Sequence, residues 1–474
     1  MQRLCIAFIA LNAVFTTSYT QATEPIYFRR DGGVTQSSHP LPDNFDNDAI
    51  KIWQVDLPNG ISTPCIHGDS IYLTTWSEDH DELATVAIDR VQGTIRWKQV
   101  APVEKLESFH SVGSPASSSP ACNGSQVFSF FGSYGLLCYD RNGETLWTHR
   151  LGPFQDEFGA SSSPILVDNL VILNEDHDTD SFLVAIDQKT GKTTWRAPRE
   201  EFTRSYSTPA IWQNGSTKQL IVAGSLQLAA YDIATGKKRW WVNSLSRIVD
   251  PTPSITTNRI YIATQTAGGD QTERISMGPF EDALKSLDKN GDRHIAQEEL
   301  PEASPVIPRF FRIDLDQDGR LNKSEWEKHA TVFERAKNIA LAIKPGGEGN
   351  VTETHIDWVY RRSLPTVPSS VVYDGVMYMV KDGGIVTSLD AVTGQALKTG
   401  RARGRGNYYA SLVAGDGKVF LASERGVVTI LKAGPKWEIL SSHDFGERIL
   451  ATPVFADGQI FIRTDNHLYC FAKS

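Results

Sequence analysis

A four-part pattern of short β-type segments recurs along most of this chain and constrains its fold more than any other feature. In the clearest copy, Pro164 precedes two runs rich in Leu, Val and Ile, and residues 182–187 form a third run. The turn that follows contains Gly191, and a fourth run carries Trp195. β-Branched residues that alternate between turn residues indicate strands rather than helices. Each copy therefore predicts four strands.

Eight such copies follow one another at a period of roughly 40–50 residues, which is typical of β-propellers. A Ser/Thr-rich motif that ends in proline begins seven copies, at Pro64, Pro120, Pro164, Pro209, Pro253, Pro368 and Pro453. Leu412 takes the proline position in the other copy, and the last copy ends the chain after three strands. Residues 50–55 can supply its missing strand and leave no unpaired sheet edge. The sequence thus predicts an all-β, eight-bladed propeller over residues 49–474, closed by its N-terminal strand.

A tryptophan recurs in the fourth strand of most copies, at Trp97, Trp147, Trp195, Trp240, Trp358 and Trp437. Large rings are suited to the widening gap between neighbouring blades. We expect these tryptophans to pack blade against blade rather than to bind a ligand.

The first residues have the layout of a secretory signal peptide. Arg3 is basic, residues 4–15 are apolar, and residues 20–22 resemble a small-residue cleavage site. We expect residues 1–22 to direct export to the periplasm or beyond, and residues 23–48 to form an irregular arm over the propeller. No other segment is apolar enough to span a membrane. The net charge of −9 gives no indication of nucleic-acid binding.

The cysteines outside the signal peptide are Cys65, Cys122, Cys138 and Cys470. Cys138 and Cys470 fall where other copies have alanine, so we expect them to pack as small hydrophobic residues. A disulfide between Cys122 and Cys138 within blade two is the alternative.

Two similar acidic hairpins, residues 78–81 and 175–178, contain the sequence Glu-Asp-His-Asp. These residue types can bind metals, but acidic runs between strands are usually solvated. We therefore expect both hairpins to be solvated loops.

Blade five is interrupted by a long insertion between its second strand, residues 260–264, and its third, residues 338–344. Residues 271–335 contain two twelve-residue segments with the spacing of EF-hand calcium loops. Side-chain oxygens stand at positions 1, 3 and 5, a backbone carbonyl at position 7 and a glutamate at position 12. The predicted metal-binding residues are Asp288, Asn290, Asp292, His294 and Glu299 in the first loop, and Asp314, Asp316, Asp318, Arg320 and Glu325 in the second.

The two loops differ at position 6, where the sharp turn prefers glycine. The second loop has Gly319, but the first has Arg293, so its affinity is expected to be lower. Ile295 and Leu321 at position 8 predict a short β-bridge between the loops. The apolar faces of the flanking helices are predicted to contain Phe280, Leu284, Leu287, Phe310, Phe311 and Trp326. We expect calcium to act as a structural staple rather than as a signal.

The loop that leads into each innermost strand of a propeller faces the central channel. The candidate channel residues are His110, Glu157, Arg204, Tyr206, Arg247, Asp250, Arg405, Asn407, Tyr408 and Arg448. Four arginines at one mouth would favour an anionic ligand, because guanidinium groups bind oxyanions through paired hydrogen bonds. The alternative is that they form ordinary salt bridges with Glu157, Asp250 and Glu447.

The repeat Ala-x-Asp-x-x-Thr-Gly-x-x-x-Trp, present at residues 185–195 and 230–240, resembles the tryptophan-docked blades of PQQ-dependent quinoprotein dehydrogenases. It also resembles the blades of non-enzymatic relatives such as the outer-membrane-assembly propeller. The runs at residues 381–386, 406–410 and 424–428 look like those of secreted PQQ-like repeat proteins of planctomycete-type bacteria.

This resemblance implies two alternative functions. Quinoprotein dehydrogenases use a disulfide between adjacent cysteines, a calcium ion held by Glu and Asn, and an Asp base, whereas this chain has no adjacent cysteines. We therefore expect an exported calcium-binding propeller that acts as a scaffold for a protein or for an anionic ligand such as an acidic glycan. The alternative is an oxidoreductase dependent on PQQ and calcium.

Overall fold

The computed structural model describes residues 24–35, 39–46, 50–267 and 275–473. The predicted signal peptide, residues 1–22, lies outside this part of the chain. The described strands form eight sheets of at least four strands, and a two-stranded sheet lies in the insertion. The fold is therefore an all-β, eight-bladed propeller, as the repeat predicts.

Each blade has four main strands, which follow one another from the innermost, at the channel, to the outermost. Blades one to four consist of Cys65–His67, Ser70–Ser77, Glu82–Asp89 and Ile95–Val100; Ala121–Cys122, Gln126–Phe131, Gly135–Asp140 and Thr145–Arg150; Ile165–Val167, Leu170–Glu175, Phe182–Asp187 and Thr193–Pro198; and Ala210–Asn214, Thr217–Gly224, Gln227–Tyr231 and Lys238–Asn243. Blades five to eight consist of Ser254–Ile255, Ile260–Thr264, Ile339–Ile343 and Ile356–Tyr360; Val371–Tyr373, Val376–Lys381, Ile385–Asp390 and Ala396–Arg401; Val413–Gly415, Lys418–Ala422, Val427–Lys432 and Glu438–Asp444; and Val454–Ala456, Gln459–Arg463, His467–Ala472 and Lys51–Asp56.

Blade eight draws its strands from both ends of the chain. Lys51–Asp56 pairs antiparallel with His467–Ala472 as the fourth strand of that sheet. Blade four has an extra short strand, Gly349–Asn350, which runs parallel to Lys238–Asn243. A short helix, Thr352–His355, follows it.

Side-chain hydroxyls join successive blades where the chain enters each innermost strand. The backbone N–H of Thr63 donates to Ser119 Oγ at 2.9 Å, and the N–H of Ser119 donates to Ser163 Oγ at 3.0 Å. The same contact links Ser163 to Thr208, Thr252 to Ser369, Ser369 to Ser411, Ser411 to Thr452 and Thr452 to Thr63. In blade six the hydroxyl residue follows Pro368 instead of preceding a proline. The predicted alignment of that copy is therefore wrong by two residues.

The repeated tryptophans pack between blades, as predicted. Trp147 Nε1 donates to the carbonyl of Gln188 in the next blade at 3.0 Å. Its ring lies against Gly191, where a Cβ atom would come within 2.6 Å of it. Equivalent hydrogen bonds join Trp53 to Arg90, Trp97 to Arg141, Trp195 to Ile233 and Trp358 to Ala391. Trp240 differs, because it donates to the Gln219 side chain of its own blade.

The described part of the N-terminal arm crosses the ring of innermost strands. Ile26 forms a β-bridge with Cys122 of blade two, and Val34 forms one with Ala414 of blade seven. Between these bridges, Arg29 donates to the carbonyls of Leu412 at 2.8 Å and Ser370 at 2.5 Å. The arm thus lies across one end of the central channel.

The insertion in blade five contains helices α1 (Phe280–Leu287), α2 (Phe310–Ile313) and α3 (Lys323–Arg335). Ile295 pairs with Leu321 as predicted. Phe280, Leu284, Phe310 and Trp326 form a small buried core with Leu287 at its edge. Phe311 is 46% exposed, so its predicted place in that core is wrong. Because α2 is one turn long, Phe310 and Ile313 occupy its inward face. No helix among the described residues is long and apolar enough to cross a membrane.

The four cysteines of the described residues, Cys65, Cys122, Cys138 and Cys470, are free and buried. Cys122 and Cys138 lie on the first and third strands of blade two, with Gln126–Phe131 between them. Two strand spacings amount to about 10 Å, which exceeds the reach of a disulfide. The alternative disulfide is therefore wrong, and the thiols pack as small hydrophobic residues.

Candidate functional site

Three carboxylates converge in the second loop of the insertion. Asp314, Asp316 and Glu325 each place an oxygen within 4.8 Å of the others, and within the described ranges they are the sole acidic, His or Cys group arranged in this way. Asp314 and Glu325 are each only 4% exposed. This arrangement could hold a metal ion.

Backbone N–H groups orient these carboxylates. Asp314 accepts from the N–H of Asp318 at 3.1 Å and of Gly319 at 2.9 Å, and Gly319 supplies the turn with a φ of 84°. Glu325 accepts from the N–H groups of Leu315 at 2.8 Å and Asn322 at 3.0 Å. In return the Asn322 side chain accepts from the Glu325 N–H and caps α3. The loop therefore holds its first and last carboxylates rigidly.

The electrostatics of the second loop favour a cation. Burial raises the pKa of both Asp314 and Glu325 above their ordinary values, and hydrogen bonds from backbone N–H groups partly oppose this effect. Negative charges also repel one another at this separation, so ionising all of them is costly without a counter-charge. Carboxylate oxygens are the ligands that hard cations such as Ca²⁺ prefer.

The first loop forms similar backbone hydrogen bonds to its carboxylates but differs from the second at position 6. Asp288 accepts from the N–H of Gly291 at 2.7 Å and of Arg293 at 3.0 Å, and Glu299 accepts from Ala296 at 2.9 Å. Arg293 adopts the left-handed conformation, with a φ of 63°. That conformation costs a non-glycine residue roughly 1–2 kcal/mol.

The two loops also contact each other. Arg320 Nη1 of the second loop donates to Asp292 of the first at 3.2 Å, and Asn290 Nδ2 donates to the same carboxylate at 3.2 Å. Asp292 Oδ1 accepts from the N–H of His294 at 2.8 Å, just as Asp318 accepts from the N–H of Arg320. Asp292 is therefore already engaged by a cation.

The insertion packs on the loops that lead into blades three and four. Arg312 of α2 binds Glu157 at 3.1 Å, and Lys328 of α3 donates to the carbonyl of Phe202 at 3.3 Å. Arg204 binds the same Glu157 and also binds Asp178. Helix α2, which directly precedes the carboxylate site, is thus joined to the propeller by ion pairs that share Glu157.

The structure does not bring the four candidate channel arginines together: Arg204 and Arg247 line one small cavity, which Arg405 and Arg448 do not reach. Arg204, only 3% exposed, forms salt bridges, which was the alternative to an anion site. Arg247 lines a small cleft beside the insertion, whereas Arg448 pairs with Asp465 at 3.1 Å. Arg405 is exposed, and neither it nor Arg448 lines that cleft.

Two further candidate channel residues are buried to different degrees. Tyr408 packs in the core between blades six and seven and donates to the carbonyl of Gly404 at 2.9 Å. Asp250 is half-buried, and burial followed by the charge of Asp156 raises its pKa to about 7.

The acidic hairpin of blade three is buried, and our expectation of a solvated loop is wrong there. His177 lies between Asp156 and Glu175, with its ring nitrogens 3.2 and 2.9 Å from their oxygens. The Phe154 ring stacks on it at 3.9 Å. Burial opposes the charged imidazole, but its hydrogen bonds to the two carboxylates outweigh this effect and raise the His177 pKa to about 10.

Two arginines explain why the same sequence behaves differently in the two blades. Arg199 binds Asp176 with both side chains fully buried, and Arg204 binds Asp178. In blade one the positions equivalent to Arg199 and Arg204 are Ala101 and Leu106, and the residues of the 3₁₀ turn Glu78–His80 are exposed. The presence of Arg199 and Arg204 after blade three, and their absence after blade one, was the sequence feature that could have indicated a buried acidic hairpin.

Comparison with known proteins supports the repeat type and the fold. Residues 44–276 match the family model described as outer membrane protein assembly factor BamB. No curated protein matches the sequence. BamB from Moraxella catarrhalis is 12% identical, with a TM-score of 0.55 over 89% of this chain and 99% of that chain. The computationally designed Ika8 protein is 10% identical, with a TM-score of 0.52 over 89% and 99%.

A europium-containing methanol dehydrogenase is also similar, at 10% identity and a TM-score of 0.55, over 89% of this chain and 93% of that chain. At such identities the likeness establishes a shared fold, while function depends on the site. The chain is thus an eight-bladed β-propeller of PQQ-like repeats, similar over residues 44–276 to the family of the outer membrane protein assembly factor BamB.

Proposed function

We propose that this chain is an exported, calcium-binding propeller that acts as a scaffold for a protein or an anionic ligand. The observation that carries the calcium part is the convergence of Asp314, Asp316 and Glu325 within 4.8 Å. On this proposal, residues 271–335 are a pair of EF-hands inserted in blade five.

The second loop supplies the ligands of the main calcium site. Asp314, Asp316, Asp318 and Glu325 would bind through their carboxylates, and Arg320 through its backbone carbonyl. Bound calcium would neutralise the buried carboxylates and hold α2 and α3 in place. Those helices contain Arg312 and Lys328, which contact the propeller. Calcium would therefore staple the insertion to the propeller.

The first loop is proposed as a weaker site. Asp288, Asn290, Asp292, Glu299 and the carbonyl of His294 occupy the same loop positions. The guanidinium of Arg320 stands against Asp292, and its positive charge opposes cation binding there. We expect this loop to bind calcium only at higher concentrations than the second.

The scaffold role rests on the architecture. The family model matched by residues 44–276 is described as an assembly factor, and such a role requires a rigid surface rather than catalytic groups. The predicted signal peptide and the resemblance to secreted planctomycete-type repeat proteins favour export. A protein partner is the first expectation, and an anionic molecule such as an acidic glycan is the second.

Calcium calorimetry on chelator-treated protein tests the proposal. We expect calcium to bind more tightly to the second loop than to the first. Glu325→Gln should abolish this tighter binding event, because it removes the glutamate at position 12 that binds through both oxygens. Glu299→Gln is the matched control and should leave that event unchanged. Absence of calcium heat, or equal effects of the two variants, would contradict the assignment.

The oxidoreductase alternative has its own test. PQQ is titrated into the purified protein in the presence of calcium, and the scaffold proposal expects no binding heat. Tight one-to-one binding that weakens in Arg204→Ala or Arg448→Ala would instead favour a quinoprotein oxidoreductase.

A further inference from the structure

An open pocket, the channel pocket, lies at the end of the central channel that the N-terminal arm crosses. It has a volume of about 330 Å³ and lies between the arm and the innermost strands of blades seven, eight, one and two. Its lining includes Glu24 and Asp31 of the arm, and both residues are exposed, so the pocket opens to solvent. The arm therefore fills only part of this end of the channel.

The arm is bound to two of these four blades through backbone hydrogen bonds. In blade two, Cys122 exchanges two N–H to C=O hydrogen bonds with Ile26, each 2.8 Å long. In blade seven, the N–H of Ala414 donates to Gly33 at 2.9 Å and its carbonyl accepts from Thr35 at 2.9 Å. Cys122 and Ala414 thus turn the N–H and C=O groups of an innermost strand toward the channel.

Blades eight and one have the same backbone positions without the arm beside them. Ile66 of blade one and Phe455 of blade eight line the channel pocket and occupy the sheet register of Cys122 and Ala414. The backbone groups of alternate strand residues point to opposite sides, so Ile66 and Phe455 also turn theirs toward the channel. Within the described ranges, no segment forms a β-bridge to either residue. An unpaired strand edge of this kind is a template for another strand.

The walls of the channel pocket are mostly apolar. Pro64, Ile66, Pro120 and Val454 contribute to them. The innermost strand of blade eight, Val454–Ala456, is only half-buried, so this wall is accessible from the pocket. These surfaces suit apolar side chains on an entering segment.

Three hydroxyl groups also line the channel pocket, those of Thr63, Ser119 and Thr452. Each accepts a hydrogen bond from a backbone N–H of a neighbouring blade, but among the described residues none of the three O–H groups has an acceptor. The carbonyl groups of a peptide would supply such acceptors.

We propose that the channel pocket binds an extended, apolar peptide segment of a partner protein, whose backbone pairs with Ile66 and Phe455 as the arm pairs with Cys122 and Ala414. Adding a strand to an unpaired edge is a recurrent mode of peptide binding, in which side-chain pockets select alternate residues. The volume is small for a ligand site, so only a few residues enter. This inference deepens the protein-partner part of the proposed function and rests on it, but it does not involve calcium.

Fluorescence anisotropy with labelled hexapeptides tests the channel pocket in the full chain. The probes are peptides with blocked ends, in which threonine alternates with valine, isoleucine or phenylalanine. We expect saturable one-to-one binding of at least one probe. The same peptide with methylated backbone nitrogens should bind about tenfold or more weakly, because it lacks the N–H donors needed for pairing.

A variant and a measurement on the wild-type protein locate the peptide. Val454→Trp fills the pocket and should weaken binding about tenfold or more, whereas Val392→Trp, at a position 58% exposed in a turn of blade six, is the matched control and should change the affinity less than about twofold. In the wild-type protein, the peptide should slow backbone hydrogen exchange at Ile66 and Phe455. Exchange at Cys122 and Ala414, which the arm already engages, should not change.

Each outcome has one meaning. Peptide binding with slower exchange at Ile66 and Phe455 supports the inference. No binding of any of the three peptides, equal binding of the methylated peptide, or equal losses in Val454→Trp and Val392→Trp overturns it. An alginate oligosaccharide that slows exchange at Ile66 and Phe455 when no peptide binds would assign the pocket to an acidic glycan, and it too would overturn the inference.

Calcium calorimetry keeps this inference distinct from the proposed function. The calcium event should be unchanged in Val454→Trp whatever the peptides do. Absence of calcium heat contradicts the calcium-binding propeller, whereas absence of peptide binding contradicts only the channel pocket as the place where a partner docks.

Discussion

Arg312 donates two hydrogen bonds, at 3.3 and 3.1 Å, to a single carboxylate oxygen of Glu157. Arg312 lies on α2 of the insertion, whereas Glu157 lies 155 residues earlier in the loop that leads into blade three. The other oxygen of Glu157 accepts from Arg204 of the propeller. Glu157 therefore joins the inserted unit to the blades.

Replacing Glu157 should loosen the insertion without unfolding the propeller. Glu157→Gln removes the charge shared by Arg312 and Arg204. Arg312 is half-exposed, so we expect the contact between insertion and propeller to weaken by about 0.5–1 kcal/mol. The buried Arg204 keeps Asp178 as its ion-pair partner. Hydrogen exchange in α3 should become roughly two- to fivefold faster, while exchange in blade seven stays unchanged. Asp465→Asn, which breaks an ion pair in blade eight, is the control. If hydrogen exchange in α3 were equally fast in Glu157→Gln and Asp465→Asn, Glu157 would not be what holds the insertion on the propeller.

The packing of Trp147 on Gly191 predicts a large cost for one added methyl group. Gly191 has a φ of +68°, and a Cβ atom added to it would lie 2.6 Å from the Trp147 ring. Gly215 has a φ of +58°, and a Cβ atom added there would have no other atom within 4 Å. Both alanine substitutions should cost about 1–2 kcal/mol through the backbone. Gly191→Ala should cost about 1–3 kcal/mol more through overpacking. Urea unfolding measures the difference, and equal midpoints would disprove tryptophan docking.

The buried carboxyl of Glu107 predicts a pH dependence of stability. Burial raises its pKa from 4.5 to about 8. A hydrogen bond from the N–H of Ala160 lowers this pKa in part, and the negative charge of Asp156 raises it further. The folded state therefore binds this proton more tightly than the unfolded state does. The wild-type protein should lose stability as the pH rises from about 4.5 to 8.

Glu107→Gln should remove this loss, because glutamine mimics the neutral carboxyl. The difference in unfolding free energy between variant and wild type should shift in favour of the variant by up to about 1.4 kcal/mol per pH unit. Urea unfolding at pH 5, 6, 7 and 8 measures it. A difference that does not change with pH would mean that Glu107 is ionised in the folded protein.

The buried thiols predict slow chemical modification. Burial raises the pKa of Cys122 to about 11 and those of Cys138 and Cys470 to about 12. Little thiolate is present at pH 8, and none of these sulfur atoms is exposed. A disulfide-exchange dye should react with Cys65, Cys122, Cys138 and Cys470 only as the protein unfolds in denaturant. Rapid reaction of the folded protein would contradict this burial.

Features that repeat along the chain were predictable from the sequence. Neighbouring blades are adjacent in both sequence and space, so the contact of Trp147 with Gly191 recurs wherever the same two residues recur. The loops of the insertion are also local, because Asp314 and Gly319 meet within a single turn. Hydrophobic and turn patterns report on such short-range contacts directly.

The tertiary structure decided which polar groups are buried. Residues 78–81 and 175–178 have the same sequence, yet only the second run is enclosed, because Arg199 and Arg204 neutralise it and Phe154 covers it. The cost of burying a charge depends on partners that other loops supply, and these lie far away in the chain. The sequence by itself determined the blades and the short paired loops of the insertion. Only the folded ring brought Glu157 to Arg312 and assembled the cleft beside Arg247.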